Sequence, residues 1–195
     1  MRHVHYALVA TALAACTHGA GKATDAGCDF EAQIAEELAV ISEGERTAAT
    51  IEEAEWTPAQ RVLIERASVL LDARDRPVSP QDIALLDRAL ALIENERTWD
   101  RADDRQCVVT DTSFSLFCAL QRASVEVLGA YQHRRTALQE VRFALEEATV
   151  GREYEHRLRD FNNDPATSLE DVRNVILVAR ERVIARLSAQ SGVCR

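Results

Sequence analysis

The chain has 195 residues and a formal net charge of −9, with 28% charged and 47% hydrophobic residues. Such an acidic chain is poorly suited to binding nucleic acid or an anionic membrane surface, because like charges repel. We therefore expect no nucleic-acid partner. The length and the hydrophobic content are sufficient for one domain with its own core.

The N-terminal residues have the pattern of an export signal. Arg2 precedes an uncharged run over residues 6–15. This run is shorter than the roughly 20 apolar residues that span a bilayer, but it fits the apolar region of a secretory signal peptide. We predict that residues 1–15 are a signal peptide.

The next feature is the sequence Leu13-Ala14-Ala15-Cys16. It resembles the lipobox of bacterial lipoproteins, and the resemblance implies that Cys16 becomes a lipidated N-terminus and anchors the chain to a membrane of the cell envelope. Residues 16–28 would then form a flexible tether. Thr17 after the cysteine implies sorting to the outer membrane, facing the periplasm, if the host has two membranes. The alternative is an ordinary cleaved signal and no anchor.

The remaining cysteines are even in number, as expected of an exported chain in which disulfides persist. They are Cys28, Cys107, Cys118 and Cys194. Pairing Cys28 with Cys194 would join the two ends of the domain, and pairing Cys107 with Cys118 would close a short loop. The crossed pairing, Cys28 with Cys107 and Cys118 with Cys194, remains open. None of the spacings is the close pair typical of a zinc site.

Apolar residues recur at three- and four-residue steps, the spacing of one helix face. Thr57, Ser79 and Ser168 each have the surroundings of an N-cap. The pattern predicts an all-α domain over residues 29–195, arranged as a single antiparallel bundle of five or six helices that is joined by disulfides. The predicted helices cover 29–55, 57–74, 79–97 and 111–150, a short segment ending near 159, and 168–190.

The second and third predicted helices are similar in sequence at an offset of 22 residues. The similarity indicates either a duplicated helix or two amphipathic helices with the same capping pattern. We favour the second interpretation, because two units are too few for a repeat protein.

A repeated motif suggests an anion site. Tyr131, His133 and Arg134 recur as Tyr154, His156 and Arg157. A phenol beside a guanidinium suits a carboxylate or a phosphate, and Arg135 would add a further charge. The two histidines could also meet as a metal pair. The alternative is that the tyrosines lie at the wet edge of the core and that the arginines are solvated.

Arg135 and Arg142 pose a separate question, because both fall on the apolar face of the predicted helix over 111–150. Each arginine either extends to the edge of the core or is buried against acids. We expect the first of these outcomes.

Residues 160–171 resemble the calcium loop of the EF-hand family. The resemblance implies a set of oxygen ligands for a hard cation, namely Asp160, Asn162, Asp164, Ser168 and Asp171. Pro165 stands where the family needs glycine for a sharp turn. We favour the alternative, an Asn/Asp/Pro turn followed by the N-cap Ser168, which needs no ion.

The sequence gives little support for catalysis, since it contains no glycine-rich phosphate loop and no nucleophile motif. We predict no catalytic residue and no cofactor other than the calcium considered above. The predicted function is a lipid-anchored binding or assembly module in a bacterial cell envelope, with a protein partner that the sequence does not identify. The alternative is a small anion- or calcium-binding envelope protein.

Overall fold

The computed structural model describes residues 28–194. Every regular secondary-structure element in this range is a helix. The only β-type pairing there is an isolated bridge between Trp99 and Phe114. The all-α prediction is confirmed. The seven α-helices are α1 (Phe30–Thr50), α2 (Pro58–Asp72), α3 (Pro80–Leu92), α4 (Leu116–Leu128), α5 (Thr136–Ala148), α6 (Arg157–Asn163) and α7 (Leu169–Val193), with a 3-10 turn over Glu53–Glu55.

The three predicted N-caps are confirmed. Thr57, Ser79 and Ser168 begin α2, α3 and α7, each in a capping box with the side chain three residues later. Each box satisfies backbone N–H groups that the helix leaves without a partner, and a cap of this kind stabilises a helix by about 1 kcal/mol. Local sequence therefore fixes where these helices begin.

The single helix predicted over 111–150 is wrong. The structure has two helices there, and Gly129 ends the first of them with a left-handed φ of 77°. The Ser124 hydroxyl then holds the turn, since it donates to the Ala130 carbonyl and accepts from the Gln132 amide, both at 3.0 Å. Glycine adopts this conformation without the penalty of a side chain. The segment 129–135 is consequently a connection.

The helices pack as a hairpin of α1 and α2 and a group formed by α3 to α7. Within this group α3 packs against α4 and α7, and α5 packs against α7. The core is contiguous and includes Leu85, Leu116, Leu138 and Ile176, each 0–1% exposed. Burial of such a side chain contributes about 1.5–3 kcal/mol, so this apolar contact is the main source of stability.

The two disulfides follow the uncrossed pairing. Cys28 bonds to Cys194, with the Cα atoms 6.3 Å apart, and Cys107 bonds to Cys118, with the Cα atoms 5.3 Å apart. The first bond joins the start of α1 to the end of α7. The second attaches the long connection between α3 and α4 to α4 itself. Residues 28–194 contain no helix long and apolar enough to cross a membrane.

Candidate functional site

Arg135 lies in a buried ion-pair network at the start of α5. Its guanidinium is bidentate to Glu31, at 2.9 Å for both bonds, and its Nε donates to Asp82 at 3.0 Å. Arg135 is 2% exposed and Asp82 is fully buried. The expectation that Arg135 extends to the edge of the core is wrong, because the guanidinium is buried against Asp82 and is also paired with the partly exposed Glu31.

Asp82 has a second role in this network. Its carboxylate accepts from the Ser79 amide at 2.8 Å and from the Ala137 amide at 3.1 Å. It thereby caps α3 and fixes the start of α5 at the same time. Burial acts to raise the pKa of Glu31, but the hydrogen bonds and the charge of Arg135, with a contribution from the nearby Ser79, outweigh burial and lower it. The network joins α1, α3 and α5.

Arg134 is also paired with a carboxylate of the protein, since it forms an ion pair with Glu45 of α1. The nearby Arg76 is 2% exposed and bonds to Glu37 of α1 at 2.8 Å. The carboxylates of α1 therefore neutralise Arg134 and Arg135, two of the arginines that the sequence had suggested for an external anion. Arg134 and Arg135 hold the hairpin against the rest of the domain.

The two tyrosines of the motif lie in different surroundings. Tyr131 packs against Phe117, with ring centroids 6.1 Å apart, and against His133. The Tyr154 hydroxyl donates to Asp164 at 2.8 Å and lies 3.2 Å from Arg152. Both rings are half-buried. Among residues 28–194 no aromatic contact joins the two tyrosine rings.

The residues that resemble a calcium loop are divided between two helices. Asp160 lies within α6, where its carboxylate accepts from the His156 amide at 2.7 Å. Asp164 follows α6 and accepts from Tyr154 and the Ala166 amide. Ser168 and Asp171 form the capping box of α7.

Asn162 is fully buried and organises the connection between α3 and α4. Its Oδ1 accepts from the Trp99 indole at 2.9 Å and from the Leu116 amide at 3.0 Å, and its Nδ2 donates to the Asp100 carbonyl at 2.9 Å. In the part of the chain that the structure describes, no group of three or more His, Cys, Asp or Glu side chains is arranged to hold a metal ion.

A basic cleft lies between α4, α5 and the start of α6. It has a volume of about 340 Å³, and no carboxylate of residues 28–194 lines it, although the chain is acidic. Every basic side chain in residues 28–194, apart from histidine, is an arginine, the residue best suited to bidentate contact with carboxylate or phosphate. The lining residues are Arg105, Phe117, Arg142, His156, Arg157, Leu158 and Arg159.

Arg142 is the half-buried cation of this cleft. Its Nη1 donates to the His133 carbonyl at 2.6 Å, and Tyr131 lies close enough to act on its pKa. Burial lowers the pKa of Arg142, and the charge of Arg134 acts in the same direction against a partial opposing effect of Tyr131. None of the ion pairs among residues 28–194 involves Arg142. Its contacts are therefore neutral oxygens.

Arg105 approaches the cleft from the connection before α4. It is the one non-glycine residue with a positive φ, 63°, within residues 28–194, and its amide donates to Asp103 at 2.7 Å. The guanidinium lies over the Phe117 ring, 5.5 Å from its centroid. A backbone held in this sparsely populated region is typical of functional sites.

The backbone of Asp103 holds Arg105 in place. Its N–H donates to the Asn163 side chain at 2.8 Å and its carbonyl accepts from the same amide at 2.9 Å. The other two arginines of the cleft have carboxylate partners, because Arg157 pairs with Glu146 and Arg159 pairs with Asp160. Arg105 and Arg142 are the cations of the cleft without such a partner among the described residues.

Several aspartates line a second cavity on the α3–α4 connection, with Asp103 the most buried of them at 5% exposed. One of its oxygens, Oδ2, is buried and has no hydrogen-bond partner. Burial raises the pKa of Asp103, and the charges of Asp104 and Asp100 raise it further. No sequence pattern indicated this buried carboxylate.

The sequence motif identified two residues of the basic cleft, His156 and Arg157, and missed the others. Arg105, Phe117, Arg142 and Arg159 belong to no common motif. Of these, only Arg142 had been noticed, because it interrupts an apolar stripe. Such an interruption was the one sequence signal that could have led to the cleft.

The geometry of the cleft can now be compared with known proteins. A family model, described as a family of unknown function (DUF6197), matches residues 77–182. This range covers more than half of the chain and includes the whole basic cleft. No curated protein and no solved structure matches the chain. The chain belongs to the DUF6197 family, whose function is unknown.

Proposed function

We propose that this protein is a lipid-anchored component of a bacterial cell envelope whose helical domain binds a small anion in the basic cleft. The observation that carries the proposal is Arg142, a half-buried guanidinium in a cleft without a carboxylate. Partly removing a charge from water is costly unless the charge is paired. A bound carboxylate or phosphate would supply the missing pair.

The contrast with Arg135 supports this proposal. Both arginines interrupt the apolar face of the same segment, and Arg135 is neutralised by Asp82 and Glu31. The chain has 32 acidic residues, so carboxylates are abundant, yet none lines the basic cleft. An anion from solvent would neutralise the charge of Arg142, as Asp82 neutralises the charge of Arg135.

The compartment is proposed from two features. The lipobox ending at Cys16 lies outside the described residues and supports lipid anchoring through the sequence alone. The two disulfides support an oxidising compartment, because structural disulfides are rare where thiols are kept reduced. Helices that follow one another through short connections, such as α1 and α2, also support the antiparallel bundle as the arrangement of the domain.

An assembly module is the second candidate. Val62 and Val69 of α2 are 65% and 64% exposed and lie two turns apart on the same helix face. They could contact a protein partner. Two separated valines are not a contiguous apolar patch, however, and scattered exposed apolar residues are normal. We therefore favour anion binding.

The anion site is tested by titrating the full chain, purified from membranes, with inorganic phosphate and following heat by calorimetry. Arg142→Gln keeps a hydrogen-bond donor and removes the charge, so we expect it to abolish the binding heat. Arg97→Gln is the matched control, because Arg97 is exposed and lies outside the cleft. Equal binding by the wild-type chain and both variants would refute the site, as would a wild-type chain that binds neither phosphate nor any alkyl phosphate.

The anchor is tested separately by the intact mass of the protein purified without reductant. A chain that begins at Cys16, carries acyl groups and has four fewer hydrogens than the reduced form would support both the anchor and the disulfides. Cys16→Ser should then release the protein from the membrane fraction. A different N-terminus without lipid would refute the anchor and leave the anion site untouched.

A further inference from the structure

We propose that the ligand of the basic cleft is an amphipathic organic anion, with a carboxylate or phosphate-monoester head that binds Arg105 and Arg142 and an apolar body that covers Phe117 and Leu158. This inference rests on the proposed anion site and specifies the chemical class of its ligand.

The size of the cleft exceeds what an inorganic anion needs. Its volume of about 340 Å³ is within the range of small-molecule sites. A water molecule takes about 30 Å³, so the cleft has room for roughly ten waters. Inorganic phosphate is a single tetrahedral group and would leave most of this space to solvent. A ligand that fills the cleft carries further atoms beyond its anionic head.

The chemistry of the lining indicates what those atoms are. Phe117 and Leu158 are partly buried residues that pack against the main core and also line the cleft. They present apolar surface to the ligand, and covering such surface is favourable in proportion to its area. The remaining lining consists of four arginines and His156, so the ligand pairs charge at one part and apolar surface at another.

The contacts place the apolar residue Phe117 between the two unpaired arginines. Arg105 lies over its ring, 5.5 Å from the centroid. Tyr131 lies edge-on to the same ring, and the charge of Arg142 acts on the Tyr131 hydroxyl. Arg105, Phe117 and Arg142 all line the cleft. An anionic head held by the arginines would bring the atoms attached to it onto the Phe117 ring.

The test compares the affinity of the full chain for inorganic phosphate, ethyl phosphate, butyl phosphate and hexyl phosphate. We expect affinity to rise by about tenfold for every two methylene groups that become buried. Hexanol is the control without a charge and should not bind. Hexanoate distinguishes the two head groups: tighter binding of hexanoate than of hexyl phosphate would assign a carboxylate, and the reverse would assign a phosphate monoester.

A pair of variants locates the apolar contact. Phe117→Leu preserves an apolar side chain and the fold, but it removes the ring, so it should reduce the dependence on chain length and leave phosphate binding within about twofold. Phe143→Leu is the matched control, because Phe143 lies under Arg74 with its centroid 4.2 Å from the guanidinium carbon and does not line the cleft. It should retain the chain-length dependence.

The outcomes separate this inference from the proposed function. Equal affinity for inorganic and alkyl phosphates would overturn the amphipathic ligand and leave the anion site intact. Binding of hexanol as tight as that of hexyl phosphate would also overturn it, because the head group would then be dispensable. If none of the anions binds, the anion site itself is refuted.

Discussion

Replacement of Asp82 by alanine tests the buried network that joins α1, α3 and α5. The carboxylate accepts five hydrogen bonds, two from Arg135, two from Ser79 and one from the Ala137 amide. The substitution leaves two buried amides without this acceptor and leaves Arg135 with Glu31 as its one carboxylate partner among residues 28–194. Breaking a buried ion pair on one side costs about 3–5 kcal/mol. We expect a loss of stability in this range.

For a domain of this size each 1 kcal/mol lowers Tm by about 2–4 °C, so Asp82→Ala should lower it by roughly 10 °C. Asp87→Ala is the control, because Asp87 lies on the same helix and pairs with Arg180, with the two side chains 49% and 33% exposed. An exposed pair contributes less than about 1 kcal/mol. The free energy of unfolding of both variants is measured by urea unfolding, followed by circular dichroism.

The double variant Asp82→Ala/Arg135→Met adds a second comparison. It removes both buried charges, and such a removal costs less than leaving one of them unpaired. We expect the double variant to be more stable than Asp82→Ala alone. If Asp82→Ala costs no more than Asp87→Ala, the network does not contribute as the structure indicates, and the reasoning from buried pairing fails.

Three further predictions concern charge and the disulfide. Burial raises the pKa of Asp103, so its charged form destabilises the fold at neutral pH. Asp103→Asn should therefore raise Tm at pH 7, and the increase in Tm should become smaller at acidic pH. An unchanged Tm at pH 7 would contradict this prediction. The pKa of Glu31 is lowered although partial burial acts to raise it. The charged carboxylate therefore stabilises the fold above the ordinary carboxyl pKa, and this stabilisation is lost as the pH falls through the lowered pKa. Glu31→Gln should make the stability depend less on pH in this acidic range, and an unchanged pH dependence would refute this reasoning. Replacing both Cys107 and Cys118 by serine should free the segment that carries Arg105 from α4. The affinity for alkyl phosphates, measured by calorimetry, should then fall by up to about tenfold. An unchanged affinity would show that the disulfide does not position Arg105.

Features set by neighbouring residues could be predicted from the sequence. Thr57, Ser79 and Ser168 begin helices because a hydroxyl and an acid or amide three residues later satisfy the first backbone amides locally. These caps do not depend on how distant helices pack. The disulfide pairing stayed open in the sequence, because Cys28 and Cys194 meet only through the packing of α1 and α7.

The break between α4 and α5 could not be predicted in the same way. The residues after Gly129 are compatible with a helix in composition, and one glycine is tolerated within a helical pattern at a cost of about 1 kcal/mol. The path of the connection is instead fixed by Arg135, which bonds to Asp82 at a separation of 53 residues. A contact this distant leaves no periodic signal, so the predicted helix continued through the break.

The basic cleft was difficult to predict for the same physical reason. Arg105, Arg142 and Arg157 reach one cavity from three separate segments. The repeated motif emphasised Arg134 instead, which Glu45 neutralises. The sequence shows which side chains are cationic, but only packing shows which of them lack a carboxylate. Candidate arginines are therefore distinguished by their partners and not by their motif.

The arginines also differ in whether their carboxylate partners lie inside the range of the family match. Arg135 and Asp82 both lie within residues 77–182, whereas Glu31 and Glu45 belong to α1, outside that range. The buried pair is therefore internal to the family region, and the hairpin adds carboxylates to it. The basic cleft lies wholly within the region and receives no carboxylate from the hairpin. The two arginines of the cleft that have no carboxylate partner among residues 28–194 thus belong to the part of the chain that the family model matches.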